Sequence, residues 1–398
     1  MDAMQIVKER GVRAAVESLG VGFGDSKPKY TSGAPAVRKI ECIHLGPIIE
    51  RATCGDIRRH VHDCAIHDRC TFGRSRVTQC PCPQFEPPPS VSPHHITPKP
   101  KSDQDWQREA KRFLDALPPY PGGRKEVGAI YVGGGKYAAG IYLGIRMLRE
   151  TGCTLPVQVW HRGESEPLPD VVRNLPGVTV VDAENHPNRG DWEAVLEGWP
   201  MKSIAALYCG FAKVLYMDAD AYALADPSDM IFETQTAALW PDIPSTDHVL
   251  QYGRFGVARP AGNIPVNGGH WIVDVEKCWR ALNLYRFFDR NRIHYYKLGY
   301  GDQSCLQAAF VLTGTPFQMP GFGNLQPRPQ FIRGVFVQAD FHKQKAFVHR
   351  IHGKPSIGRE FGHRGMTRRN DLPMESEVWD IMTEYKAAMG VIPKMPPP

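Results

Sequence analysis

At 398 residues the chain exceeds one typical domain, and about 150 residues per domain gives two or three units. A hydrophobic fraction of 42% and a charged fraction of 23% belong to an ordinary folded protein and exclude a disordered or fibrous chain. The net charge of +6 is mild and no long Lys/Arg run accompanies it, which suits an anionic substrate at least as well as nucleic acid.

Residues 1–40 form an N-terminal extension with one expected helix, Ala3 to Ser18. No apolar signal core is read there, and no window reaches the ~18 apolar residues of a membrane span. The expected location is therefore cytoplasmic, in a compartment that keeps thiols reduced. Residues 41–84 are a Cys/His-rich module: Cys42, Cys54, Cys64, Cys70, Cys80 and Cys82 lie there, with His44, His60, His62 and His67 among them. Reduced thiols at this density point to metal binding before disulfides, and the module reads as a structural zinc site using four of these ligands. The spacing is not that of two clean Cys-x-x-Cys knuckles, so buried thiols or an iron–sulfur site remain alternatives. Residues 85–102 are a Pro-rich linker, expected to be extended.

From Asp103 the texture changes to alternating strand and helix patterns, which imply an α/β unit with a mostly parallel sheet. Val127 to Val132 reads as a strand, Gly133-Gly134-Gly135-Lys136 as the loop after it, and Tyr137 to Thr151 as a helix. Strands are expected over Leu155–Trp160, Val178–Asp182, residues 214–217, Ala237–Trp240 and Trp271–Val275. Helices are expected over Lys202–Ala212, Cys278–Asn291, Gln303–Leu312 and Glu375–Met389. The boundaries drawn are 103–356 for the α/β domain and 357–398 for a C-terminal extension.

Within that domain Val214-Leu215-Tyr216-Met217-Asp218-Ala219-Asp220 is the most informative run. An apolar strand ends in two carboxylates one residue apart, which alternation puts on one side of an extended backbone. Paired carboxylates at a strand end need a compensating cation, and a divalent metal carrying a diphosphate supplies one. A strand exit that uses Asp only as a turn residue is the plainer alternative. Ligands of open α/β sheets bind at the carboxyl ends of the strands. Other polar features there are Gly133, Gly134, Lys136 and Tyr137 for a nucleotide, Lys202 for phosphate, Asn267-Gly268-Gly269 before a strand, and Gly301-Asp302-Gln303 opening a helix. Each has a structural alternative: a tight turn, an exposed helix lysine, a glycine turn and an N-cap, respectively.

Taken in order, Lys202…Tyr216-Met217-Asp218-Ala219-Asp220…Asp226-Pro227, Asn267-Gly268-Gly269, Gly301-Asp302-Gln303 and His349…His352-Gly353-Lys354-Pro355 resemble the motifs of GT-A glycosyltransferases. The segment Lys136-Tyr137…Leu148-Arg149-Glu150-Thr151-Gly152-Cys153-Thr154-Leu155-Pro156 is similar to the opening of the fungal-type α-mannosyltransferases. The glycogenin and lipopolysaccharide galactosyltransferase family is the other group resembled. The resemblance covers roughly residues 127–355 and departs in its last motif, where His349 to Gly353 is one residue longer than the glycogenin-like spacing.

The resemblance implies a GT-A domain, a Rossmann-like mostly parallel mixed sheet flanked by helices. It also implies retaining transfer of a hexosyl group, mannosyl in preference, from GDP-mannose or a UDP-hexose to a glycan or other hydroxyl acceptor. Asp218 and Asp220 would hold Mn²⁺ or Mg²⁺ with His349, favoured over His352, completing the shell, and Lys354 would hold the diphosphate. Asp302, Gln303 and Asp242 would orient hydroxyls, and no nucleophile is assigned. Two other functions are alternatives: a zinc-ribbon protein that binds nucleic acid or a partner beside an inactive α/β domain, and a sugar nucleotidyltransferase.

Overall fold

The computed structural model describes residues 101–192, 199–242, 250–260, 264–321, 330–332, 334–356, 366 and 368–391. All belong to the unit that begins at Pro98. The expected helix over Ala3–Ser18 and the Cys/His module with its six candidate zinc ligands lie outside the described residues.

Ser102 opens helix α1 (Asp103–Asp115) with a reciprocal cap. Its hydroxyl accepts from the Asp105 N–H at 3.2 Å, and the Asp105 carboxylate accepts from the Ser102 N–H at 2.8 Å. The order continues β1 (Val127–Val132), α2 (Ala138–Glu150), β2 (Val157–His161), α3 (Asp170–Arg173), β3 (Val178–Asp182), α4 (Met201–Tyr208), β4 (Lys213–Met217) and β5 (Ala221–Ala223). Then come α5 (Ser228–Glu233), β6 (Ala237–Pro241), α6 (Tyr252–Phe255), β7 (Val266–Asp274), α7 (Trp279–Arg290), α8 (Arg292–Tyr295) and α9 (Gly301–Thr313). The chain closes with β8 (Gln330–Ile332), β9 (Val335–Ala339), β10 (Lys345–Arg350) and α10 (Glu375–Ala388).

Six strands form one sheet in the order β3-β2-β1-β4-β7-β6. The first four are parallel, and β7 runs antiparallel to both neighbours, so the fold is mixed α/β with a mostly parallel sheet. Pleating sends Ala129, Tyr131, Leu215 and Met217 into the layer of α2 and α10. Ile130, Val214 and Tyr216 go to the layer of α4, α7 and α9. Both faces are buried, which is why β1 and β4 read as near-continuous apolar runs without polar alternation. Among the described residues no helix is long and apolar enough to cross a membrane.

A second, antiparallel sheet, β5-β10-β9-β8, was not anticipated. Its register sets His349 of β10 opposite Ala221, directly after the Asp218–Asp220 turn. Two further expectations need correction. The Asn267-Gly268-Gly269-His270 segment is not a turn before a strand but the first half of β7, fully inside the sheet. Nor does the chain stay extended through the acidic pair: the Ala221 N–H donates to the Asp218 carbonyl at 3.0 Å, folding residues 218–221 into a turn. Helix α10, expected in a C-terminal extension, packs on α2. It is tied to β10 by Arg350 and Glu375, a pair 2.8 Å apart with side chains 1% and 5% exposed.

Candidate active site

The turn after β4 is fixed from two sides by backbone hydrogen bonds. The Asp218 N–H donates to the Gly269 carbonyl and the Arg350 N–H to the Asp220 carbonyl, each at 2.7 Å. The two carboxylates and the His349 ring thereby converge, with one ligand atom from each lying within 4.8 Å of the others. Two oxygens and one imidazole nitrogen form a donor set suited to a divalent cation. The residues therefore fit the metal that the motif implies.

The orientation of His349 is set by a neighbour on β7. Its Nδ1 lies 2.9 Å from Asn267 Oδ1, and the same oxygen accepts from the Gly269 N–H at 2.9 Å. A backbone N–H can only donate, so the Asn267 oxygen is an acceptor and Nδ1 carries a proton. Nε2 is thus the nitrogen turned to the carboxylates, 3.3 Å from Asp220 Oδ1. This is the usual way a partner behind a ligating histidine chooses the ligating atom. Gly269 makes the arrangement possible, since a Cβ there would lie 2.3 Å from His349 Nδ1. His352 is not part of the cluster. It is exposed, with its ring against Gly334, where a Cβ would meet its Nδ1 at 2.1 Å.

Two lysine ammoniums face three carboxylates. Lys202 Nζ is 2.9 Å from Asp218 Oδ1 and 2.7 Å from Asp302 Oδ2, and Lys354 Nζ is 2.5 Å from Asp220 Oδ2. Burial pulls the Lys202 ammonium down, but Asp218 and Asp302 outweigh it and hold the pKa above an ordinary lysine. Burial raises Asp220, yet His349 and Lys354 reverse that and leave it below the usual carboxylate range. Asp218 goes the other way: burial, with Asp220 and Asp302 nearby, outweighs Lys202 and His349. The Tyr216 hydroxyl donates to Asp218 Oδ1.

A cavity of about 620 Å³ opens on this cluster. Of the residues singled out from sequence, Gly133, Tyr137, Lys202, Asp218, Asp220 and Lys354 line it. Gly133 has φ +134°, backbone that favours glycine, at the carboxyl end of β1. Gly134 is buried against the Glu166 carbonyl, and the exposed Lys136 Nζ sits 5.1 Å over the Tyr137 ring, so neither lines the cavity. Asp302 is not an N-cap: that position is Tyr300, and Asp302 in the first turn of α9 reaches the site through Lys202. Gln303 donates to Asp242 Oδ2 at 2.8 Å, and Gly268 lets α9 approach β7, its Cβ position being 3.0 Å from Gln303 Cβ. Sequence reasoning missed Glu166, Trp199, Tyr216, Arg292, Tyr296 and Lys297 on the cavity wall. Only Tyr216 carried a signal, being a polar-tipped aromatic two residues before Asp218.

Residues 126–263 match the family described as "Mannosyltransferase putative". The chain is similar to alpha-1,2-mannosyltransferase MNN2 of Saccharomyces cerevisiae, 28% identical over 178 residues, 42% of this chain and 29% of that protein. It is also similar to alpha-1,2-mannosyltransferase MNN24 of Candida albicans, 31% identical over 124 residues, 29% of this chain and 17% of that protein. The chain thus spans less than a third of the curated relatives it matches. A solved structure of the galactosyltransferase LgtC with donor and acceptor sugar analogues aligns with TM-score 0.40 and 14% identity, covering 68% of this chain and 97% of that one. The matched segment runs from just before β1 through the Asp218–Asp220 turn to beyond Asp242, and across it the chain resembles the fungal alpha-mannosyltransferases.

Proposed function

We propose that this protein is a metal-dependent glycosyltransferase of GT-A type. It moves a hexosyl group, mannosyl in preference, from a nucleotide sugar to a glycan or other hydroxyl acceptor with retention of configuration. The observation that carries this reading is the convergence of Asp218, Asp220 and His349, with both carboxylates lining a cavity large enough for a nucleotide sugar. The similarity to named alpha-1,2-mannosyltransferases supports the mannosyl preference.

A bound Mn²⁺ or Mg²⁺ supplies Lewis-acid stabilisation of the diphosphate leaving group. The chain's own residues do the rest. Asn267 keeps His349 Nε2 aimed at the carboxylates. Lys354, its side chain 34% exposed beside Asp220, offers an ammonium to the diphosphate at the cavity wall. Lys202 holds Asp218 and Asp302 in place, so the turn after β4 and the start of α9 act as one unit. Gly133 lets a nucleotide approach the backbone, with Tyr137 as the adjoining aromatic face. Asp302, Gln303 and Asp242 are assigned to orienting donor and acceptor hydroxyls. The Cys/His module is proposed as a structural zinc site.

The test is a transfer assay on the full chain with Mn²⁺ and GDP-mannose, UDP-galactose or UDP-glucose, reading donor consumption and the anomeric configuration of the product by NMR. The expected result is consumption of one donor, GDP-mannose, and an α-linked product. Failure of a folded protein to consume or bind any of the three overturns the reading, and a β-linked product overturns retention.

A further inference from the structure

Two aromatic faces meet the cavity from opposite layers of the fold. Tyr137 packs with the α2 layer beside Gly133, and Tyr296 packs with the α4/α7/α9 layer. The second face is extended by Trp199, whose ring centroid lies 6.3 Å from that of Tyr296 at an interplanar angle of 57°. Trp199 is 60% exposed and Ile293, on the same wall, 80% exposed. Large apolar side chains grouped and left open on a cavity wall mark a binding surface.

The backbone of this wall is linked to the carboxylate cluster. The Trp199 carbonyl accepts from the Lys202 N–H at 3.1 Å, so the indole stands on the turn that presents Lys202 to Asp218. Behind it, the Tyr296 hydroxyl donates to Asp289 Oδ1 at 2.9 Å, and Ser203 of α4 donates to Asp289 Oδ2 at 2.6 Å. Asp289 is 1% exposed, so the tyrosine is pinned to α4 and α7 from within the core. With Tyr296 pinned, one member of the pair loses little freedom when a ring is laid on it, which favours a sugar-binding platform.

We propose that Trp199, backed by Tyr296 and bordered by Ile293, is the platform on which a pyranose ring of the acceptor stacks. This rests on the glycosyltransferase reading. That reading gives the Gly133–Tyr137 side to the nucleotide and leaves the Trp199 wall, on the other layer, for the second substrate. The apolar face of a pyranoside covers the indole while its hydroxyls point to the acidic floor, where transfer takes place.

The experiment uses the full chain with Mn²⁺ and GDP-mannose, with methyl α-mannopyranoside and α-1,6-mannobiose as acceptor probes. Wild type is compared with Trp199→Ala and Trp199→Phe. The expected result is a rise in acceptor KM of about tenfold for Trp199→Ala, with Trp199→Phe restoring most of it. The thermal shift produced by GDP-mannose with Mn²⁺ is expected to be the same in all three proteins. An unchanged acceptor KM overturns the platform, as does a protein that consumes donor but takes up neither pyranoside. A donor shift lost in Trp199→Ala also overturns it, because Trp199 would then hold the nucleotide. Absence of any donor shift in wild type instead overturns the underlying reading.

Discussion

Replacing Asn267 by Ala isolates the orientation of His349 from its presence. Asn267 is 2% exposed, and its Oδ1 serves two donors, the His349 ring and the Gly269 N–H, both at 2.9 Å. Loss of the acceptor leaves the Gly269 N–H buried without a partner, which costs about 1–3 kcal/mol of stability. It also frees the ring to turn and to exchange its tautomer. Removing a partner behind a metal-bound histidine typically weakens the metal about 10–100-fold, equivalent to about 1.4–2.8 kcal/mol. Calorimetric titration with Mn²⁺ measures this directly, and urea unfolding of the same sample checks that the protein is folded. Asn267→Asp keeps an acceptor at the same place and is expected to bind Mn²⁺ more tightly than Asn267→Ala. An Asn267→Ala protein that binds Mn²⁺ within about twofold of wild type would refute the role given to His349.

Three further outcomes are expected. Gly269→Ala, which sets a Cβ 2.3 Å from His349 Nδ1, is expected to destabilise by about 1–3 kcal/mol and to weaken Mn²⁺ binding, read by thermal unfolding and titration. Lys202→Met leaves Asp218 and Asp302 without their shared cation and is expected to lose about 3–5 kcal/mol in urea unfolding, with part of the loss recovered when Mn²⁺ is added. Glu375→Ala removes the carboxylate paired with the buried guanidinium of Arg350, whose backbone N–H holds the Asp220 carbonyl. A loss of about 3–5 kcal/mol is expected in the same assay; a loss below about 1 kcal/mol would mean that α10 contributes little to holding β10.

Much of the main sheet is legible in the sequence because burial on both faces writes apolar runs directly. Val127–Val132 and Val178–Asp182 are read to the residue, and helix Glu375–Ala388 to within one. Strand β7 is not, because Asn267-Gly268-Gly269 has the composition of a turn. In the fold those glycines are demanded by partners far along the chain: His349 against Gly269 and Gln303 against Gly268. Helix α1 has a readable start in the Ser102 and Asp105 capping pair, the sequence form of a reciprocal cap. The second sheet is illegible for a different reason: β5 and β8 are three residues each, too short to show a period.

The acidic pair shows how the right residues follow from an incomplete argument. Alternation along an extended strand is not what brings Asp218 and Asp220 together; a turn clamped by β7 and β10 does. The same register brings His349, and not His352, to the acidic pair by setting it opposite Ala221. Trp199 had no signal at all. Its meaning comes from Tyr296, nearly a hundred positions later.

The most direct test of the account is a thermal-shift comparison of wild type and Asp220→Ala with GDP-mannose, with and without Mn²⁺. A ligand that binds only the folded state adds about 2.7 kcal/mol of stability at a hundred times its Kd. The account predicts a clear upward shift for wild type only when nucleotide sugar and Mn²⁺ are both present, and none for Asp220→Ala. An equal shift in the two proteins, or one that does not depend on Mn²⁺, would contradict a metal–diphosphate site at Asp218, Asp220 and His349.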